Sequence, residues 1–279
     1  DLPGGGPAYP LAALGARARL RPNDALTFMV GAFNGNPAPR SSIADPQIAN
    51  QSGLSFPLNG GLLLIAEMQY AYPAIGAMRY ADQPEPLPRR YKLGVWFDTA
   101  DFPDQQYDNT GLSLANPASN GLPLNHHGDF GAYAVADQVV WVDPIDAGHT
   151  ISLFARVLGA PQADRNLITF SMNAGVVIRQ PLPGRADDTF GVGMGYARVS
   201  AAAAGLDRMT AAYAGSPTPV RGGETFIEVT YQYQATPWWQ LQPDLQYVFN
   251  PGGGLANPNL PTQRIGNELV LGLRTNILF

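Results

Sequence analysis

The chain has 279 residues, 45% of them hydrophobic, with 31 Gly, 26 Pro, no Cys and a formal net charge of -5. Without cysteine there is no disulfide framework and no thiolate or Cys-ligated metal chemistry. Charges of both signs are scattered and give no basic patch for nucleic acid, and the longest apolar run, 62–66, is far short of the roughly 20 residues a membrane helix needs.

Abundant Gly and Pro suit many short strands joined by turns, so residues 1–279 read as one all-β domain with no linker between two cores. The opening Asp1-Leu2-Pro3-Gly4 has neither the charged nor the apolar part of a secretion signal. An exported protein with this beginning is expected to start inside a longer precursor.

Read with the period-2 test, the chain gives about eleven strands. The first is expected over 11–20, with Arg17 and Arg19 opposite Ala16, Ala18 and Leu20, and the turn Arg21-Pro22-Asn23-Asp24 leads into a second over 26–33. A Pro-, Asn- and Gly-rich loop, 34–60, precedes a third over 62–72, with Glu67 and Gln69 on one side and Met68, Tyr70 and Tyr72 on the other. After a proline-rich connection, 73–89, the fourth (90–98) alternates Tyr91, Leu93, Val95 and Phe97 with Lys92, Gly94, Trp96 and Asp98. A long loop is expected over 100–129. Further strands follow at 130–142, 150–158, 168–179 and 189–199, and a small-residue loop over 200–222.

The ninth strand alternates most cleanly, Ile227, Val229, Tyr231 and Tyr233 against Glu228, Thr230, Gln232 and Gln234, and the tenth covers 239–249. The last, 264–279, places Leu269, Leu271, Leu273 and Ile277 against Glu268, Arg274 and Asn276, and ends on Phe279. One face could meet lipid and the other water, which is the pattern of a transmembrane antiparallel up-and-down β-barrel. The connections sort accordingly. Those at 34–60, 100–129, 160–166, 200–222 and 250–263 fall at one end and include every loop longer than about twenty residues, whereas the other end holds mostly short turns. Tyr70, Tyr72, Tyr91, Trp141, Trp239, Tyr247 and Phe249 fall near strand ends, where interfacial aromatic girdles sit.

With the strands in place, the chain resembles the carbohydrate-selective porin family of Gram-negative outer membranes. The resemblance rests on Tyr9-Pro10-Leu11-Ala12-Ala13-Leu14-Gly15-Ala16-Arg17, on Phe33-Asn34-Gly35-Asn36-Pro37 and on Tyr91-Lys92-Leu93-Gly94-Val95-Trp96-Phe97-Asp98-Thr99. It continues through Gly131-Ala132-Tyr133-Ala134-Val135-Ala136-Asp137-Gln138 and Asn267-Glu268-Leu269-Val270-Leu271-Gly272-Leu273-Arg274. It implies an outer-membrane channel for passive diffusion of small sugars, and a barrel of about sixteen strands, of which about five N-terminal ones would be missing here. A terminal aromatic such as Phe279 resembles the assembly signal of such barrels.

The residues expected to line a pore are Arg17, Arg19, Glu67, Lys92, Trp96, Asp98, Arg156, Glu228, Glu268 and Arg274, with Gln69, Arg179, Gln232 and Asp244 on the same face. A sugar-selective pore needs rings for apolar C–H faces and charged or amide groups for hydroxyls. Trp96 fits sugar stacking, and equally fits packing under an infolded loop. The loop over 100–129, with Asp101, Asp104 and Asp108, fits a constriction or a surface cap, and its spacing matches no ordered Ca²⁺ loop.

Three histidines, His126, His127 and His149, share no metal-ligand spacing, and no strand offers the His of a barrel hydrolase, so neither catalysis nor a cofactor or metal is expected. The alternatives are a general or anion-favouring porin of the same fold, and a soluble carbohydrate-binding β-protein. The expected partners are small sugars and outer-membrane lipid.

Overall fold

The computed structural model describes residues 12–36, 48, 50, 52–73 and 87–278. In chain order the strands are β1 (Gly15–Leu20), β2 (Leu26–Asn34), β3 (Leu62–Tyr72), β4 (Arg89–Asp108), β5 (Pro123–Val142), β6 (Thr150–Gly159) and β7 (Ile168–Arg179). They continue as β8 (Thr189–Val199), β9 (Gly223–Thr236), β10 (Trp239–Phe249), β11 (Ala256–Asn257), β12 (Leu260–Arg264) and β13 (Glu268–Ile277). Eleven of them form one antiparallel meander in the order β1 to β10 and then β13, while β11 and β12 pair separately. Each strand lies beside its neighbour in sequence, the up-and-down arrangement expected from the alternation. Within the described residues the outer edges of β1 and β13 carry no further strand.

Register is fixed by the two faces. Met68 pairs with Leu93, Leu93 with Ala134 and Ala134 with Val157, all apolar; one residue along, Glu67 pairs with Gly94 and Gly94 with Tyr133. A slip of one position would turn every side chain to the wrong face. The apolar face is open to the surroundings across the whole sheet, through Val30, Leu93, Val157, Met194, Ile227, Leu245 and Leu271, the last 73% exposed. A buried aliphatic side chain is worth about 1.5–3 kcal/mol. A soluble protein would lose that amount many times over by leaving this belt in water, whereas hydrocarbon imposes no such cost. The sheet ladders satisfy the backbone internally, as a strand in lipid requires.

Three connections differ from the sequence reading. Residues 100–129 are mostly strand: β4 and β5 are 20 residues each and run on as a hairpin beyond the other strands, leaving 109–122 as the tip. The ladder shifts register between Asp98 and Asp101 and again between Pro103 and Asp108. Proline and aspartates obscured the alternation there, because carboxylates take over part of the backbone pairing: Asp104 Oδ1 accepts from the N–H of Gln106 (2.6 Å) and Tyr107 (2.7 Å).

Residues 200–222 hold a helix, α1 (Ala201–Ala214). Ser200 caps it by accepting from the N–H of Ala203 at 3.1 Å, and Gly215 ends it in the left-handed region at φ 63°. The 250–263 segment contains the small β11–β12 hairpin. The first strand begins at Gly15, and the last spans Glu268–Ile277. Tyr9 to Leu11, the interior of the 34–60 loop, most of the 73–89 connection and Phe279 lie outside the described residues.

Aromatic rings gather at the short-turn rim. Tyr70 stacks on Tyr91 at 6.2 Å, Trp238 on Trp239 at 6.3 Å, and Trp141 meets His149 edge-on at 5.1 Å. Two of them satisfy their polar atoms locally: Tyr91 donates to Gln138 Oε1 (2.7 Å), and Trp239 Nε1 to Thr275 Oγ1 (2.9 Å). An apolar body with a satisfied polar tip is what an interfacial ring needs.

Candidate functional site

The opposite face of the sheet carries the polar residues, and the ladders place them in rows. One row runs Gln69, Lys92, Val135, Arg156, Asn173, Gly195, Phe226, Val248, Glu268. The next, toward the short turns, runs Ala71, Arg90, Asp137, Phe154, Gly175, Gly193, Glu228, Gln246, Val270. Basic groups stand on β4 to β7 as Arg90, Lys92, Arg156 and Arg179, interrupted by Asp137. Acidic groups stand on β9, β10 and β13 as Glu224, Glu228, Asp244 and Glu268.

Arg17 and Arg19 are exposed on the edge strand β1; Arg19 pairs with Met29, which pairs with Glu67. Glu67 is committed: its Oε2 accepts from the Tyr133 hydroxyl at 2.6 Å, and Oε1 accepts from the Gln69 amide. Glu228 Oε2 accepts from Gln246 Nε2 at 2.9 Å, and Arg274 Nε donates to Asn276 Oδ1 at 3.3 Å. Lys92, Arg156, Arg179 and Glu268 make no side-chain hydrogen bond or ion pair among the described residues. The structure therefore brings Lys92 and Arg156 to one row, two strands apart, and separates them from Glu228 and Glu268.

Two residues of the expected set are enclosed. Trp96 is 4% exposed and packs with Leu63, Ala160, Phe33, Ile65 and Tyr133. Its ring lies against Gly131 on the neighbouring strand, where a Cβ would come within 2.7 Å of it. Of the two readings open for Trp96, this burial is the packing one. Asp98, also 4% exposed, turns Oδ1 to the N–H of Ala100 (2.8 Å) and lies against Gly35. Both groups therefore sit enclosed at this end of the sheet and not on its open part. The β4–β5 hairpin and the 160–167 connection close over this end of the sheet, and single-strand periodicity carries no information about what covers a face.

Residues outside the expected set share the same wall. Phe226 lies over Gly195 and Phe154 over Gly175, positions where a Cβ would overlap the ring. Asn173 Oδ1 sits beside Phe226 over Gly195, 2.6 Å from the place of a Cβ. Tyr133, Arg156, Ser171, Asn173, Glu224 and Phe226 line one depression of about 400 Å³. The available signal was the run Gly191, Gly193, Gly195 at every second position of β8, which marks a stretch where neighbouring side chains need room.

The hairpin tip is organised by Asp108, fully buried, which accepts from Ser119 Oγ (2.6 Å), Thr110 Oγ1 (2.7 Å), and the N–H groups of Thr110 and Leu112 (both 2.9 Å). The Ser119 hydroxyl, with Thr110 and these N–H groups, holds its carboxyl well below the ordinary range, against the opposing effect of burial. Asp98, Asp101, Asp104 and Asp108 are engaged with backbone, hydroxyls or histidine: His126 Nε2 lies 2.7 Å from Asp104 Oδ2, and His127 Nδ1 3.0 Å from Asp101 Oδ1.

Porin B of Pseudomonas aeruginosa is 27% identical over 261 residues, covering 90% of this chain and 51% of the relative, so the chain spans about half the length of the curated relative it matches. A high-pH structure of Pseudomonas putida OprB superposes with a TM-score of 0.78 at 23% identity, over 96% of this chain and 59% of that one. A low-pH structure of the same protein gives 0.51 at 17% identity, over 94% and 54%. These likenesses establish the porin fold. The carbohydrate-selective porin, OprB family, matches residues 1–279 throughout. The chain therefore belongs to that family of Gram-negative outer-membrane proteins.

Proposed function

We propose that this chain forms the wall of a passive outer-membrane channel for small carbohydrates, a conduit rather than a catalyst. The observation that carries the reading is one face of an eleven-stranded antiparallel sheet lined by Lys92, Arg156 and Asn173, whose side chains are unpaired among the described residues, beside partly open rings and backed by an apolar face fit for lipid. Sugars present hydroxyls to charged and amide groups and C–H faces to rings, so this mixture suits them. Liposomes carrying the intact outer-membrane protein should swell faster in isotonic hexose than in an uncharged, non-sugar solute of equal size. Equal rates would mean an unselective pore.

A second reading, an anion-favouring pore of the same architecture, is favoured by the guanidinium groups of Arg90, Arg156 and Arg179, unpaired among the described residues, around a cavity of about 910 Å³. The reversal potential across a KCl gradient separates the two: a strong anion preference together with indifference to sugars favours this alternative.

A further inference from the structure

The rows of the polar wall single out one place on it. Arg156, Asn173, Gly195 and Phe226 are successive ladder partners on β6, β7, β8 and β9. Adjacent strands are about 4.8 Å apart, so the row spans roughly 14 Å between its ends. Gly195 is in the middle, and the absence of a side chain there lets the Cε1–Cζ edge of the Phe226 ring reach over β8 with the Asn173 amide oxygen alongside. Phe226 is on the polar face and keeps partial exposure, so part of its ring is open to the lumen. The side chains of Arg156, Ser171 and Asn173 have no hydrogen-bond or ionic partner among the described residues. Glu224, two residues before Phe226 on the same face, accepts from the N–H of Gly252 through one oxygen, Oε2, at 2.6 Å.

We propose that this depression is a docking subsite for a single hexopyranose, with Phe226 as the stacking platform and Asn173 and Arg156 as the groups that bind its hydroxyl edge. A pyranose is apolar on the C–H faces of its ring and polar around its rim. A flat ring beneath and donors at the side match that division. The platform is Phe226 and not Trp96, because Phe226 keeps partial exposure whereas Trp96 is buried. The proposal rests on the carbohydrate-channel reading and refines it to named residues.

The test is block of the KCl current of the intact protein by D-glucose in planar bilayers. Phe226→Ala should raise the half-blocking concentration about three- to tenfold, Phe226→Tyr should keep it near the wild-type value, and sugar-free conductance should not fall in either. If Phe226→Ala fails to assemble, judged by heat-modifiable migration, Phe226→Leu retains an apolar cover over Gly195 without an aromatic face and carries the same expectation. Block by glucose that is equal in wild type, Phe226→Ala and Phe226→Leu overturns the subsite and leaves the channel reading intact. A wild-type current indifferent to every sugar overturns both.

Discussion

Asp108 shows what a single carboxylate does in this molecule. Its two oxygens collect hydroxyl and N–H donors from both sides of the 109–122 tip, so the tip has a centre although it has little apolar core. Since the folded carboxyl titrates below the ordinary value of about 3.9, its contribution is fully present above that value and is lost only as pH falls through the lowered folded pKa. The wild-type tip should therefore resist pepsin at pH 4 as it resists chymotrypsin at pH 7. Asp108→Ala should be cut several-fold faster at Leu112 and Leu114 under both conditions, with the sheet itself unaffected. Equal cutting rates would mean that the tip is held by other contacts.

The limits of the sequence are also clearest among residues. The place of Lys92, Arg156 and Glu228 on the polar face was legible because alternation alone assigns a face. The enclosure of Trp96 and the neighbourhood of Phe226 were not, since both depend on which strand lies alongside and on a glycine in that strand.

At the scale of elements, periodicity performed well wherever a strand has two chemically different faces. β3, β7, β8 and β10 coincide with their expected bounds. It was silent on α1, although Ser200, the alanine run and Gly215 are a start, a body and a stop for a helix. The faces themselves are testable. Leu271 lies on the apolar side near the middle of β13, paired with Leu245, and Gln232 lies on the polar side of β9. Leu271→Arg should cost about 2–4 kcal/mol in unfolding from lipid vesicles, whereas Gln232→Arg should change stability little. Equal losses would contradict the assignment of faces.

At the scale of the molecule, the eleven-stranded sheet is a wall with two open edges among the described residues. In the 279-residue chain held in detergent, backbone amides along the free sides of β1 and β13 should exchange with deuterium fastest, and those of β6 to β8 slowest. Slow exchange at both free sides would show that something pairs with them.

The long hairpin of β4 and β5 has a mechanical consequence for this wall. It reaches past β6 and β7 to α1, where Asn116 Nδ2 donates to the Tyr213 hydroxyl at 3.0 Å and Gln106 lies against Gly205. On the way, the N–H of Gln105 donates to the carbonyl of Asp164 at 2.7 Å. From β5 to β8 the sheet covers an arc of three strand spacings, roughly 14 Å, and the hairpin spans that arc as a chord. A chord of fixed length sets the curvature of the rim it joins and damps its flexing. At the opposite rim, the 143–149 and 180–188 turns join only adjacent strands, so among the described residues the tie across three strand spacings is at the hairpin end.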